Sequence, residues 1–173
     1  VVPLTLLLIL MLLYLNFRRM TETLIVMLSL PFALIGGLWL MWWMGFNMSV
    51  AVAVGFIALA GVAAETGVIM LIYLDHALEA RRTRAVSQGR ALTRDDVHAA
   101  VMEGAVERVR PKIMTVVAIM AGLLPILWSH GTGSEVMQRI AVPMVGGMIS
   151  STILTLIVIP VIYALIKQRD VKV

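Results

Sequence analysis

Glu65 is the residue whose type and position most demand a chemical reason. It ends the charge-free run Gly55-Phe56-Ile57-Ala58-Leu59-Ala60-Gly61-Val62-Ala63-Ala64 and is followed by more apolar sequence. An ionised side chain inside such a segment is costly in hydrocarbon, so acids of this kind carry protons or ions, or else stay neutral and bridge two helices. Gly61 and Ala58 lie one and two helical turns earlier on the same face. Small side chains in that pattern let a second helix approach closely, so Glu65 is expected to face the interior of a bundle rather than lipid.

Lys112 opens another apolar run, directly after Arg110-Pro111, and proline is well tolerated in a first helical turn. By position alone Lys112 reads as an anchor reaching to the headgroups, with a proton-relay role as the alternative. The chain holds 13 methionines. Thioethers bind soft Cu(I) or Ag(I), but Met also fills gaps in apolar packing, so most of them are expected to pack. Met137 stands apart because it lies in the polar segment 131–139, and Met144 and Met148 are one helical turn apart. These three are the candidate metal ligands. His76, His98 and His130 are not paired at metal-ligand spacing, and no His-Glu-x-x-His pattern, P-loop or nucleophile elbow is present. With no cysteine, thiolate sites and disulfides are excluded. The expectation is a protein that is not an enzyme, holds no permanent cofactor and draws its energy from ions rather than nucleotide.

The elements that must position these residues are membrane helices. Of 173 residues, 61% are hydrophobic and 14% charged, and the mean hydropathy is +0.98. A soluble domain needs more polar surface than that. A bilayer core takes about 20 apolar residues of helix, and charge-free runs divide the chain into five spans: 1–17, 24–44, 50–74, 113–128 and 140–166. The break between the second and third is Gly45-Phe46-Asn47, flanked by the interface aromatics Trp39, Trp42 and Trp43. The expected fold is therefore all-α and integral to the membrane, with about five transmembrane helices. It divides into three spans over 1–74, a cytoplasmic connector over 75–112, and two spans with a short tail over 113–173.

Thirteen of the 14 Lys and Arg residues fall in 18–22, in the connector or after the last span; Arg139 is the exception. The positive-inside rule then puts Val1 outside the cell and Val173 in the cytoplasm. The net charge of +4 belongs to this membrane pattern and does not point to nucleic acid. Within the connector, Thr93-Arg94-Asp95-Asp96 has the form of a capped helix start. Val97, Ala100, Val101, Ala105 and Val109 follow at helical spacing, which predicts an amphipathic helix near the headgroups. Residues 81–92 read as a solvated linker. Prolines 31, 125, 143 and 160 fall inside spans, where neighbours can satisfy the freed backbone groups. Val1 opens straight into an apolar run without a basic n-region or cleavage site, so it is not read as a signal peptide and the chain is expected to belong to something longer.

Three motifs carry a resemblance to a known family. The run 55–65, the segment Arg108-Val109-Arg110-Pro111-Lys112-Ile113-Met114-Thr115 and the segment Gly131-Thr132-Gly133-Ser134-Glu135-Val136-Met137 are similar to the heavy-metal efflux branch of the resistance-nodulation-division transporters. The likeness runs from Val1-Val2-Pro3 to Pro160-Val161-Ile162-Tyr163 and is weakest over 81–95. It implies that these are the last five of twelve spans of an inner-membrane homotrimer with large periplasmic domains, working with a periplasmic adaptor and an outer-membrane channel. Glu65, Lys112 and the methionine of Glu135-Val136-Met137 resemble the copper/silver subtype; Zn, Co or Cd exporters generally carry Asn, an apolar residue and no methionine there. The resemblance implies that Glu65 and Lys112 belong to a proton relay with an Asp of the other half, and that Met137 lies on a metal pathway. The expected function is proton-driven export of Cu(I) or Ag(I). The alternatives are a divalent-metal exporter of the same family and a non-transporting membrane scaffold with Glu65 as structural glue.

Overall fold

The computed structural model describes residues 2–170, so Val1 and Val173, whose sides of the membrane were assigned above, lie outside it. Among the described residues the chain is helical and contains no strand. Helices α1 (Val2–Phe17), α2 (Met20–Trp43), α3 (Val50–Ser87) and α4 (Arg94–Leu127) precede one long rod. That rod is α5 (Ser134–Ile153), a π-helical turn (Leu154–Val158) and α6 (Ile159–Asp170). Four of these rods are long and apolar enough to cross a membrane. α1, at 16 residues, reaches only about 24 Å at 1.5 Å per residue, short of the roughly 30 Å hydrocarbon core. The bundle of five apolar helices is thus present, with the first as short as its sequence suggested.

The breaks between helices have local causes. Arg18 takes a positive φ of 53° between α1 and α2, and Gly45 one of 71° after α2. The N-terminus of α3 is capped by Ser49, whose hydroxyl accepts from the Val52 amide at 3.4 Å. Thr93 begins α4 as expected, through a reciprocal pair: its hydroxyl accepts from the Asp96 amide at 3.3 Å, and the Asp96 carboxylate accepts from the Thr93 amide at 3.0 Å. The π turn lies just before Pro160, which has no N–H and whose ring would press on the preceding turn of a regular helix. One wider turn absorbs both problems.

Two readings of the connector change. Helix α3 does not stop at residue 74 but runs to Ser87, so of the expected linker 81–92 only residues 88–92 are non-helical. Arg and Ala are good helix formers, Ala85 is buried, and Arg81 pairs with Glu103 of α4 at 2.9 Å. The expected amphipathic stretch from Val97 is the first half of α4 and continues unbroken into the fourth span. Its Val97, Ala100 and Val101 are buried, and a Cβ on Gly104 would meet the Tyr73 carbonyl at 3.0 Å. This face packs on α3 rather than on headgroups; the connector is a helical hairpin.

Helix α5 is the centre of the bundle, packed on α2, α3 and α4. It comes close because glycines meet there. A Cβ on Gly36 would strike the Gly146 carbonyl, one on Gly146 would strike the Gly36 carbonyl, and one on Gly147 would strike Leu59. Ser150 then donates to the Ala33 carbonyl across the same crossing at 2.9 Å. Helix α4 is peripheral: 6% of its most apolar stretch is buried, against 33–39% in the other three long rods.

Candidate functional site

Glu65 sits midway along α3 and is exposed, as are Ala58 and Gly61 on the same face. A Cβ added to Gly61 would meet nothing within 4 Å. The expectation that this stripe would be covered therefore fails within the described residues. The helices that fill the interior use the other side of α3, through Val52, Leu59, Ala63 and Met70. Gly122 on α4 is equally open, so within their apolar stretches α3 and α4 each leave a small residue uncovered, and α3 leaves Glu65 exposed as well.

Lys112 behaves in the opposite way. The anchor reading predicts an ammonium in the headgroups, but the side chain is 0% exposed. Its Nζ has no hydrogen-bond partner among the described residues. Two charges act on it, Arg108 and Glu65, although neither forms an ion pair with it. Arg108 lies one turn earlier on α4, with its guanidinium 5.8 Å from the centre of the Tyr73 ring, and its Nε is buried without a partner. Sequence reasoning gave Arg108 no role. The structure thus brings Glu65 and Lys112 into electrostatic reach across α3 and α4 without joining them.

The methionines are not gathered at this pair. Met137 is exposed in the first turn of α5, Met144 is half-buried, and Met148 is in the core. The 11 residues from Met137 to Met148 span about 16 Å of helix. No group of three or more His, Asp or Glu suited to a metal occurs among the described residues, and His76, His98 and His130 are all exposed.

A second polar cluster escaped the sequence reading. Glu22, in the first turn of α2, is 1% exposed; its Oε1 accepts from Lys167 Nζ of α6 at 2.8 Å, and Arg19 lies 3.6 Å away. One turn before Lys167, the Tyr163 hydroxyl donates to Asp75 of α3 in a short hydrogen bond. The only signal in the sequence was a lone acid between Arg19 and an apolar run. Its partner lies 145 residues away.

Four helices long and apolar enough to cross a membrane, with a buried lysine on one and an acid midway along another, define the membrane domain of a larger protein class. The chain matches the AcrB/AcrD/AcrF family over residues 1–167 and belongs to that family. Its relatives include the SilA protein of Salmonella typhimurium, 57% identical over 99% of this chain. The cation efflux system protein CusA of Escherichia coli K12 is 57% identical over 95%. The cobalt-zinc-cadmium resistance protein CzcA of Cupriavidus metallidurans is 40% identical over 98%. The crystal structure of a heavy metal efflux pump superposes with a TM-score of 0.80 at 35% identity, over 97% of this chain. The chain spans 16% of the length of SilA and of CusA, and 15% of CzcA and of the crystallised pump. The family resemblance read from the motifs is borne out, and the higher identity to SilA and CusA than to CzcA agrees with the subtype marks.

Proposed function

We propose that this chain supplies the closing transmembrane helices of a proton-driven inner-membrane pump that exports Cu(I) or Ag(I) in exchange for protons. The observation that carries the reading is Lys112, fully buried with its Nζ unpartnered and within electrostatic reach of Glu65. A buried ammonium without a partner is costly. A carboxylate brought to the open face of α3 and α4 offsets that cost, and an Asp from outside these 173 residues is the group the resemblance implies. Acid and base so placed exchange a proton with little change in net buried charge. Each proton taken up at the periplasmic side and released to the cytoplasm then biases how α3 and α4 pack against the rest of the pump.

The metal is cargo, and its contact lies away from the relay. Met137, exposed in the first turn of α5, is the thioether at the outer mouth. Met144 and Met148 extend the path inward, which requires α5 to turn Met148 out of the core. In this reading the N-terminus is periplasmic and the C-terminus cytoplasmic. The pump is a homotrimer joined to a periplasmic adaptor and an outer-membrane channel, and it is a secondary active transporter rather than an enzyme.

Substitution of Glu65→Gln in the full-length pump tests the relay. Copper and silver tolerance should fall to that of cells lacking the pump, while the amount of membrane trimer stays unchanged. Retained tolerance removes Glu65 from the relay. Met137→Ile tests the cargo: silver tolerance should drop at an unaltered zinc response, and an exporter of divalent ions would be indifferent to the change.

A further inference from the structure

A cavity of about 860 Å³ opens at the end of the bundle where α1 gives way to α2. Four of the helices around it show the same order of side chains going inward. On α2, Glu22 at the cavity is followed by buried Ile25 and Val26. On α3, Asp75 is followed by Leu74, Leu71 and Met70, and then by Glu65. On α4, Val97 is followed by Val101, with Lys112 further along. On α6, Lys167 is followed by Tyr163 and Ile159, and then by the π turn. The middle layer is one buried cluster, none of it more than 8% exposed. Lys112 lies beyond it. A bond of 2.9 Å from Gln138 Nε2 to the Ser129 carbonyl ties the ends of α5 and α4 together, and 17 residues along each helix from that bond stand Thr155 and Lys112. Lys112 is therefore at about the depth of the π turn, and a dry septum separates it from the cavity.

We infer that α6 is a hinged gate in this septum, swinging on the π turn and latched by the Glu22–Lys167 and Asp75–Tyr163 bonds. The π turn at Leu154–Val158 and Pro160 interrupt the regular ladder just above α6, which is where a membrane helix bends most readily. Below that joint, two polar bonds hold α6 to its neighbours. Lys167 Nζ donates to Glu22 of α2 at 2.8 Å, and the Tyr163 hydroxyl donates to Asp75 of α3. Tyr163 and Lys167 stand one turn apart on the same face, so one swing breaks both bonds and lifts Tyr163 and Ile159 out of the septum. The chemistry of the latch suits reversal. A buried ion pair adds little net stability over apolar side chains, but it fixes one closed position. Glu22 Oε2 is buried without a partner among the described residues, a cost that opening relieves because Glu22, Lys167 and Asp75 all border the cavity and its water. The hinge is a property of the bundle; that it controls proton release from Lys112 rests on the relay proposed above.

Thiol labelling and proton leak in the full-length pump test the gate. These 173 residues contain no cysteine, so Met70→Cys, at a site 0% exposed in the cluster shared with Ile159 and Tyr163, supplies one thiol here. A water-soluble methanethiosulfonate followed by peptide mapping reads its access. The latch-free variant Glu22→Gln/Lys167→Met/Tyr163→Phe should label about tenfold faster, the change expected when a hydrogen bond to a charged group is lost. Pro160→Ala restores a backbone N–H at the joint and should reverse most of that rise. In proteoliposomes the latch-free pump should dissipate an imposed pH gradient about tenfold faster than the unaltered pump, and Lys112→Met should stop that leak. Equal labelling with and without the latch overturns the hinge, as does a rise that Pro160→Ala leaves untouched. Should the latch-free variant fail to fold, hydrogen exchange of the unaltered pump decides. Amides of 161–169 should then exchange as one block, and protection that falls off smoothly towards the end of α6 overturns the hinge. Faster labelling without a leak, in a pump whose metal tolerance is lost in Glu65→Gln, overturns the gate and leaves the relay standing. Tolerance retained in Glu65→Gln removes the relay, and the labelling still decides the hinge.

Discussion

Lys112 and Asp96 lie on one helix, and opposite surroundings give them opposite tests. Lys112 is a buried cation whose proposed task is to gain and lose a proton, which arginine cannot do because it stays charged. Lys112→Arg keeps the positive charge that an anchoring role needs. The relay predicts loss of copper tolerance in this variant with normal trimer levels, whereas an anchor predicts normal tolerance. Asp96 lies in the first turn of α4, ahead of the apolar stretch of that helix. The Arg90 guanidinium, bonded to it at 2.7 and 3.0 Å, and the Thr93 amide and hydroxyl hold its carboxyl well below the usual aspartate range. A depressed folded value means that the ionised cap stabilises the helix start above the ordinary carboxyl range and is lost as pH falls through the folded value. Amide exchange at the first turn of α4 should therefore stay slow as pH drops through about 3.9, the ordinary Asp value, and quicken only below it. Asp96→Asn should abolish that plateau.

At the scale of elements, the crossing of α2 and α5 is a close joint in the bundle. Gly36 and Gly146 sit backbone to backbone there, and small residues permit such close approach in membranes. Gly146→Leu leaves the added side chain no space, and overpacking of this kind costs about 1–3 kcal/mol. The thermal midpoint of the purified pump should fall by several degrees, and Gly146→Ala should fall between that variant and the unaltered protein. The helices themselves were legible because hydropathy, breaks and caps are local: Thr93 and the glycine of Gly45-Phe46-Asn47 mark boundaries close to those observed. The connector was misread because Arg, Ser and Gln over 81–88 look solvated in sequence. Helix continuation there comes with the burial of Ala85 and the pairing of Arg81 with Glu103 of α4.

For the whole molecule, the open face of α3 and α4 is the feature that matters. Ala58, Gly61 and Glu65 are exposed together, and the chain spans 16% of the length of SilA and CusA. A helix from the remainder of the pump seated on this face predicts that Gly61→Leu destabilises the full-length protein and abolishes metal tolerance, although nothing within these residues meets the added side chain. Full tolerance in Gly61→Leu would show that lipid, not protein, covers Glu65.

The sequence by itself determined that Glu65 is anomalous, where the helices lie and how α4 begins, because burial of apolar surface and capping depend on neighbours in the chain. It could not determine that Lys112 is sealed inside while Glu65 faces out. That depends on how α3 and α4 are rotated about their own axes, with Leu59 of α3 set against Gly147 of α5 and Gly104 of α4 set against Tyr73 and Leu74 of α3. The Glu22–Lys167 pair has the same origin, since 145 residues separate charges that only the closed bundle brings to 2.8 Å.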